Sequence, residues 1–513
     1  MISTKKEIVM KYNICIFLIL GFVAQLFACS KKNTGDVITP SGGVHVYYVA
    51  NNGLESNKGT IEAPFQTINI ALTHTVPGDT VIVRGGTYSE KVVFPKSGVM
   101  DKYITLKAYH GETPVIDGSA FSVNGREALV TIDKAKFIVV DGFEIRNLKT
   151  STGDPKAIMV EGGSDYITIK NNTIYGIDYT QLPLNGGGNA ILIIGNTSDP
   201  VTNITVTGNT IHDCKTGYGE NLTINGYVDG FTITNNTIYN AQNIGIDAAG
   251  GYAANADAAL NYARNGIISG NTCYNIESKR GPLGGHGAIG IYVDGGRNVI
   301  VEKNRVSVTD RGIGAVSETN GFPTDHVTIR NNLIYNCWCS GIYMGGYLNY
   351  TGGGTSNSAI VNNTLYNNNR ALGAFGEIEG EISIREDCSN NVIKNNIIYG
   401  GTSDMFIHKY TAKGSGNIID HNMYYTTGPA QWTWNGTSYT DYNLWKAACG
   451  GDANSINNVD PLFINTSAPD LHLQSSSAAK NSGQVISEAI NGNTDFDGNA
   501  RIVNKQISKG AYQ

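Results

Sequence analysis

Short β-branched runs, apolar alternating with polar, recur between glycines and asparagines along most of this chain. A phrase marks the repeats: Asn172-Thr173-Ile174-Tyr175, Asn209-Thr210-Ile211-His212, Asn236-Thr237-Ile238-Tyr239 and Asn271-Thr272-Cys273-Tyr274, then Asn304-Arg305-Val306, Asn332-Leu333-Ile334-Tyr335, Asn363-Thr364-Leu365-Tyr366, Asn396-Ile397-Ile398-Tyr399 and Asn422-Met423-Tyr424. The spacing wanders but never vanishes, as in a solenoid whose loops vary in length. The runs carry strand and turn chemistry, with no sustained helical period. They predict an all-β fold, a parallel β-helix that stacks equivalent positions about 4.8 Å apart. The recurring Asn reads as a turn ladder of stacked side-chain amides.

A second phrase lies upstream of most repeats. Strand alternation points Leu222/Ile224, Ile246/Ala248, Ile291/Val293, Ile342/Met344 and Ile382/Ile384 inward. With Gly245, Gly290, Gly314 and Gly341 aligned, one outward column holds Thr223, Asp247, Tyr292, Val316, Tyr343 and Ser383. The next holds Asn225, Ala249, Asp294, Glu318, Gly345 and Arg385. This register makes Asp294 and Glu318 neighbours in adjacent coils, with Asp247 diagonal to Asp294, on a face whose glycines admit a ligand closely. Like charges in contact need a proton, a metal or a cationic partner. Asp247, Tyr292, Asp294, Glu318 and Arg385 are therefore the candidate catalytic set, and Tyr343, His286, Arg311 and Lys279 the candidate substrate contacts.

Composition agrees with tight coils: 63 Gly and only 16% charged residues. A net charge of -6 gives no basic footprint for nucleic acid. Cys337 and Cys339 stand without the partners a zinc site requires and read as core or ladder residues. At the N-terminus, Lys5, Lys6 and Lys11 precede an apolar run from Ile14 to Phe27. Such a run is short for a membrane span and suits a signal peptide. The sequence Leu26-Phe27-Ala28-Cys29 resembles a bacterial lipoprotein cleavage box, making Cys29 the lipidated residue. The expected organisation is a signal peptide over 1–28, a flexible tether over 29–44, the β-helix over 45–425 and a C-terminal cap over 426–513. A helix over Gln66 to Thr73 would close the first coil. The chain is expected to be a monomeric cell-envelope lipoprotein, extracytoplasmic, touching the membrane only through its lipid.

The stretch from Val46-Tyr47-Tyr48-Val49 through Pro64-Phe65-Gln66-Thr67-Ile68, Pro77-Gly78-Asp79-Thr80-Val81 and Gly85-Gly86-Thr87-Tyr88 resembles the start of extracellular right-handed parallel β-helix proteins, including polysaccharide lyase family 9. That resemblance implies a polysaccharide substrate, a calcium ion held by acidic residues and a lysine base. Val228-Asp229-Gly230-Phe231 and Asn243-Ile244-Gly245-Ile246-Asp247 are similar to the family's acidic segments, which makes Asp229, Asn243 and Asp247 the implied metal ligands. Tyr292 stands where the family's lysine is expected, and Asn243 and Ile244 stand where acids are expected. Three activities stay open: β-elimination on an acidic polysaccharide, hydrolysis by Asp294 and Glu318 with Asp247, and glycan binding without cleavage.

Overall fold

The computed structural model describes residues 43–346, 353–370, 379–401 and 405–513. Cys29, the signal peptide and the tether up to residue 42 lie outside the described residues. From Val44 the chain forms one unit, a right-handed parallel β-helix. Each coil gives one strand to each of three parallel sheets. In one coil these are Val228–Thr234, Thr237–Ala241 and Ile244–Ala249. The first sheet runs from Val46–Val49 to Ile418–Asp420, the second from Val92–Val93 to Thr437–Tyr439, and the third from Gly86–Tyr88 to Ile456–Asn457.

Aliphatic side chains fill the coil. Leu222, Ile246, Ile291, Ile313, Ile342 and Ile382 follow one another in the second sheet, all with 0% exposure. Each such side chain contributes about 1.5–3 kcal/mol by leaving water. At the turn between the first and third sheets the asparagines form an unbroken ladder from Asn172 to Asn422. Each Nδ2 donates to the next Oδ1 at 2.9–3.1 Å, across sequence gaps of 26 to 37 residues. The same Oδ1 accepts a backbone N–H, as from Asn236 to Asn271 at 2.9 Å. The amide also donates to a strand carbonyl, as from Asn271 to Ile233 at 2.9 Å. Every turn donor thus finds a partner in a place without water.

The first coil is closed by the helix Ile68–His74, capped by the Thr67 side chain. Glu90 accepts from the backbone N–H groups of Ile68 and Asn69 at 2.8 and 3.0 Å. At the far end Trp432 and Trp445 are fully buried, and the Trp445 indole and Tyr424 hydroxyl donate to Asp452 at 2.7 and 2.8 Å. These tryptophans pack the end of the coil. The chain beyond Phe463 does something other than close the coil: it doubles back along earlier turns. Asn331 donates to Asn491 O at 3.0 Å, Asn362 to Ser508 O at 3.0 Å, and Ala511 N to Thr364 Oγ1 at 2.9 Å.

One column of the first sheet departs from its neighbours. Asn203, Gly230, Asn265 and Asn298 take up positive φ at equivalent bulges, as Asn and Gly readily do. The same column begins with Phe137 (φ 56°) and Tyr166 (φ 55°). A bulky side chain in that region costs about 1–3 kcal/mol.

The ladder sets a measurable expectation. Asn271→Ala removes the acceptor of two buried donors and should lower unfolding free energy by at least about 2 kcal/mol in chemical denaturation. The exposed Asn52→Ala should change it by less than about 0.5 kcal/mol. Equal effects would mean the ladder is not what holds the turns.

Candidate active site

Three strands of the second sheet build the candidate site: Ile244–Ala249, Ile289–Asp294 and Arg311–Val316. Asp247 pairs with Tyr292, and Tyr292 with Gly314. The expected register is wrong by two residues in the third strand: Val316, not Glu318, lies opposite Asp294, and Gly314 replaces Val316 in the outward column. The physical reason is the bend. Gly245, Gly290, Gly312 and Gly341 occupy it, and a Cβ on Gly312 would come within 2.3 Å of Gly341 O. Gly314 instead lies beneath the Tyr292 ring, where a Cβ would reach Cδ2 at 2.5 Å.

Glu318 nevertheless enters the site, from the turn after its strand. Its backbone N–H donates to Asp294 Oδ1 at 3.0 Å, and its Oε1 accepts from the Tyr292 hydroxyl at 3.1 Å. Asp247, Tyr292, Asp294 and Glu318 line one cavity of about 430 Å³ with Glu220, Tyr218, Tyr252 and Asn225. Asp247 and Asp294 are 3% and 2% exposed. The Tyr252 hydroxyl donates to Asp294 Oδ2. Asp247 Oδ1 has no hydrogen-bond partner. Burial first, then the neighbouring charges of Glu220, Asp294 and Glu318, raises the Asp247 carboxyl well above its usual range. Burial and Glu318 do the same to Asp294, against the bonds from Tyr252 and Glu318 N. Glu220 is raised by burial.

Glu220 and Tyr252 were not among the sequence candidates. Glu220 stands one residue before the aligned phrase at Asn221, and Tyr252 arrives from the loop after Ala249. Behind Glu220 stands Lys156, buried, pushed down to about 8 by burial and donating to Gly187 O at 2.9 Å. Asn189 links them in register, pairing with Lys156 and donating to Glu220 O at 2.9 Å.

The remaining candidates lie elsewhere. Tyr343 is fully buried, with Arg311 and Arg385 guanidinium groups 4.7 and 5.3 Å from its ring, so it presents no surface to substrate. Arg385 Nε donates to the Tyr343 hydroxyl at 3.1 Å and stands outside the cavity lining. Arg311 is buried in a bidentate pair with Glu379, its Nε 2.8 Å from Oε2. Neither arginine relieves the acid cavity. His286 gives its backbone oxygen to Arg311 at 3.3 Å, with its ring toward Asp310; Leu283 of the same loop reaches the cavity instead. Lys279 is an exposed partner of Glu277 at 2.7 Å.

Comparison with known proteins fits this architecture. Residues 47–237 match the description "Pel9A-like, right handed beta helix region", and residues 224–347 match "Right handed beta helix region". The "Uncharacterized protein YwoF" of Bacillus subtilis (strain 168) is 34% identical over 470 residues, covering 90% of this chain and 96% of YwoF. The chain belongs to the YwoF family. "Pectate lyase PEL9" of Emericella nidulans is 28% identical over 193 residues, covering 35% of this chain and 45% of that protein. The structure of XylC with xylose shares the fold at a TM-score of 0.51 and 14% identity, covering 91% of this chain and 98% of that one.

The metal ligands implied by the lyase resemblance do not converge in this YwoF-family chain. Asp229 belongs to the first sheet, where it accepts from Asn265 at 2.6 Å, whereas Asp247 belongs to the second. Asn243 lines the cavity, but its amide donates to Gly219 O at 2.9 Å. Among the described residues no group of three or more His, Cys, Asp or Glu is arranged to hold a metal ion.

Raised carboxyls link the site to stability. The folded chain holds the Asp247 proton more tightly than the unfolded chain does. Its stabilising effect is complete below about pH 4, the unfolded value, and drains away as pH climbs toward the raised folded value. Asp247→Asn should therefore melt above the parent protein at pH 7 and lose that advantage near pH 4. A gap independent of pH in thermal scans would show that Asp247 is not held protonated.

Proposed function

We propose that this chain is a carbohydrate-active enzyme that cleaves an extended polysaccharide at the acid cavity, by hydrolysis of the glycosidic bond. One observation carries this reading: Asp247, buried and with an unpartnered Oδ1, lines the cavity shared with Glu318, and its carboxyl is pushed well above the ordinary range. A buried carboxyl that holds its proton tightly is suited to act as a general acid. Asp247 gives its proton to the glycosidic oxygen, and the bonding pair leaves with that oxygen. Glu318, oriented by Tyr292, faces the positive charge growing at the anomeric carbon as nucleophile or as base toward water. Water ends as the new hydroxyl and the spare proton returns to a carboxylate. Asp294 has both oxygens occupied by Tyr252 and Glu318 N, so it positions rather than reacts.

The lining also bears on the substrate. It gathers Glu220, Asp247, Asp294 and Glu318 and contains no Lys, Arg or His. A uronate carboxylate placed there would find no cationic side chain to pair with, so the sugar at the cleavage point is uncharged in this reading. β-Elimination is the second reading, favoured by the similarity to a protein named pectate lyase. It needs a uronate whose charge is neutralised and a base at C5, and here the Tyr292 hydroxyl is already donating to Glu318. Export and lipid attachment at Cys29 complete the proposal, and metabolic labelling with a fatty acid tests the latter against Cys29→Ser.

Purified protein offered neutral and uronate polysaccharides should release reducing ends without ultraviolet-absorbing unsaturated products, and chelator should leave the rate unchanged. Asp247→Asn and Glu318→Gln should each lower kcat by about 10²–10⁴. Activity should decline on the alkaline side as Asp247 loses its proton. Unsaturated products abolished by chelator would establish elimination instead. Retention of glycans with no cleavage would leave a binding protein.

A further inference from the structure

A second cavity, of about 360 Å³, opens on the outer face of the first sheet, whereas the acid cavity is built on the second. It arises from the positive-φ column. The Phe137 and Tyr166 rings stack there at 4.7 Å with an interplanar angle of 8°, and Tyr103 meets Phe137 edge-on at 5.5 Å. The stack ends at Tyr166. The next coil supplies Asn203, whose amide is turned to Asp165 Oδ1 at 2.9 Å. The coil after that supplies Gly230, where a Cβ would meet only Asn203 N at 3.9 Å. Asn265 then restores a side chain, held by Asp229.

One face of the Tyr166 ring is therefore covered by Phe137, and the other borders a notch left by Gly230. The floor is a ladder of threonines in register, Thr168, Thr205 and Thr232. None of the side chains lining the notch is charged. Later turns of the same column use residues suited to positive φ: Asn298, His326, Asn357 and Asn390. Tyrosine is a poor choice for that backbone, so a strained aromatic bordering an open cavity points outward to a ligand.

We infer that this notch is a sugar-binding subsite separate from the acid cavity, taking one uncharged pyranose ring of a polysaccharide. The ring lays its C–H face on Tyr166 and turns hydroxyls to the Asn203 side-chain oxygen and the threonine floor. This goes beyond the cleavage reading and stands without it.

Affinity electrophoresis of the full chain tests it, in gels holding soluble arabinoxylan, galactomannan or polygalacturonate. Retardation is expected from at least one of the two neutral polymers. Tyr166→Asn, which installs the residue type the column favours, should weaken it about tenfold without lowering the melting temperature. Gly230→Asn leaves Tyr166 in place and fills the notch, and should weaken it equally. In an Asp247→Asn background, which removes cleavage, both notch variants should still lose retardation, which separates this site from the acid cavity. The inference is overturned by an absence of retardation in both neutral gels, by retardation confined to polygalacturonate, or by full retardation of both notch variants.

Discussion

Register between coils is the constraint on which everything else in this protein rests. A β-helix has no element that is stable alone, and each turn of backbone must find its hydrogen-bond partners in the turns before and after it. The asparagine ladder supplies that satisfaction where the strands cannot, at the corner between sheets. Because each amide both donates and accepts along the axis, a slipped coil would break bonds on both of its sides. The loops between corners are free to vary in length, since the ladder and the apolar core already fix how the coils stack. That freedom brings Tyr252, Leu283 and Glu318 over the second sheet while the wall beneath stays regular.

The second sheet manages charge in two ways within a few coils. Toward the C-terminal end, Arg311 and Glu379 neutralise each other, and Arg385 rests on Tyr343. Paired ions of this kind satisfy one another and are poorly placed for chemistry. In the neighbouring coils, Glu220, Asp247, Asp294 and Glu318 have no cationic side chain among the cavity lining. Burial and mutual repulsion raise the Asp247, Asp294 and Glu220 carboxyls, so that they hold their protons more tightly than exposed acids do. The contrast between these clusters locates the chemistry, because the two contain similar residue types and differ mainly in how their charges are balanced.

The first sheet shows the same logic in backbone rather than charge. Its bulge column accepts Asn and Gly without strain, yet opens with two stacked aromatic residues in a conformation they disfavour. Where the stack ends, a cavity opens between Tyr166 and Asn265. A rigid coil can carry such a departure because neighbouring turns hold it from both sides.

The amino-acid sequence by itself determined the solenoid, the asparagine ladder, the inward aliphatic columns and the outward position of Asp247 beside Tyr292. All of these follow from short-range periodicity, which a single chain displays openly. It did not determine which coil residues stand side by side. Strand alternation has a period of two, so a slip of two residues leaves every side chain on its correct face while changing its neighbours. Arg311-Gly312-Ile313-Gly314 offers two glycines, and only the close approach of Gly341 O at the bend selects Gly312. Glu318 reaches the site from beyond its strand, with a hydrogen bond from its own backbone to Asp294 holding the turn inward. Tyr252, the burial of Tyr343 and the capture of Arg311 by Glu379 depend on contacts across long stretches of chain. Tertiary packing alone decided those, since no local pattern encodes where a loop comes to rest.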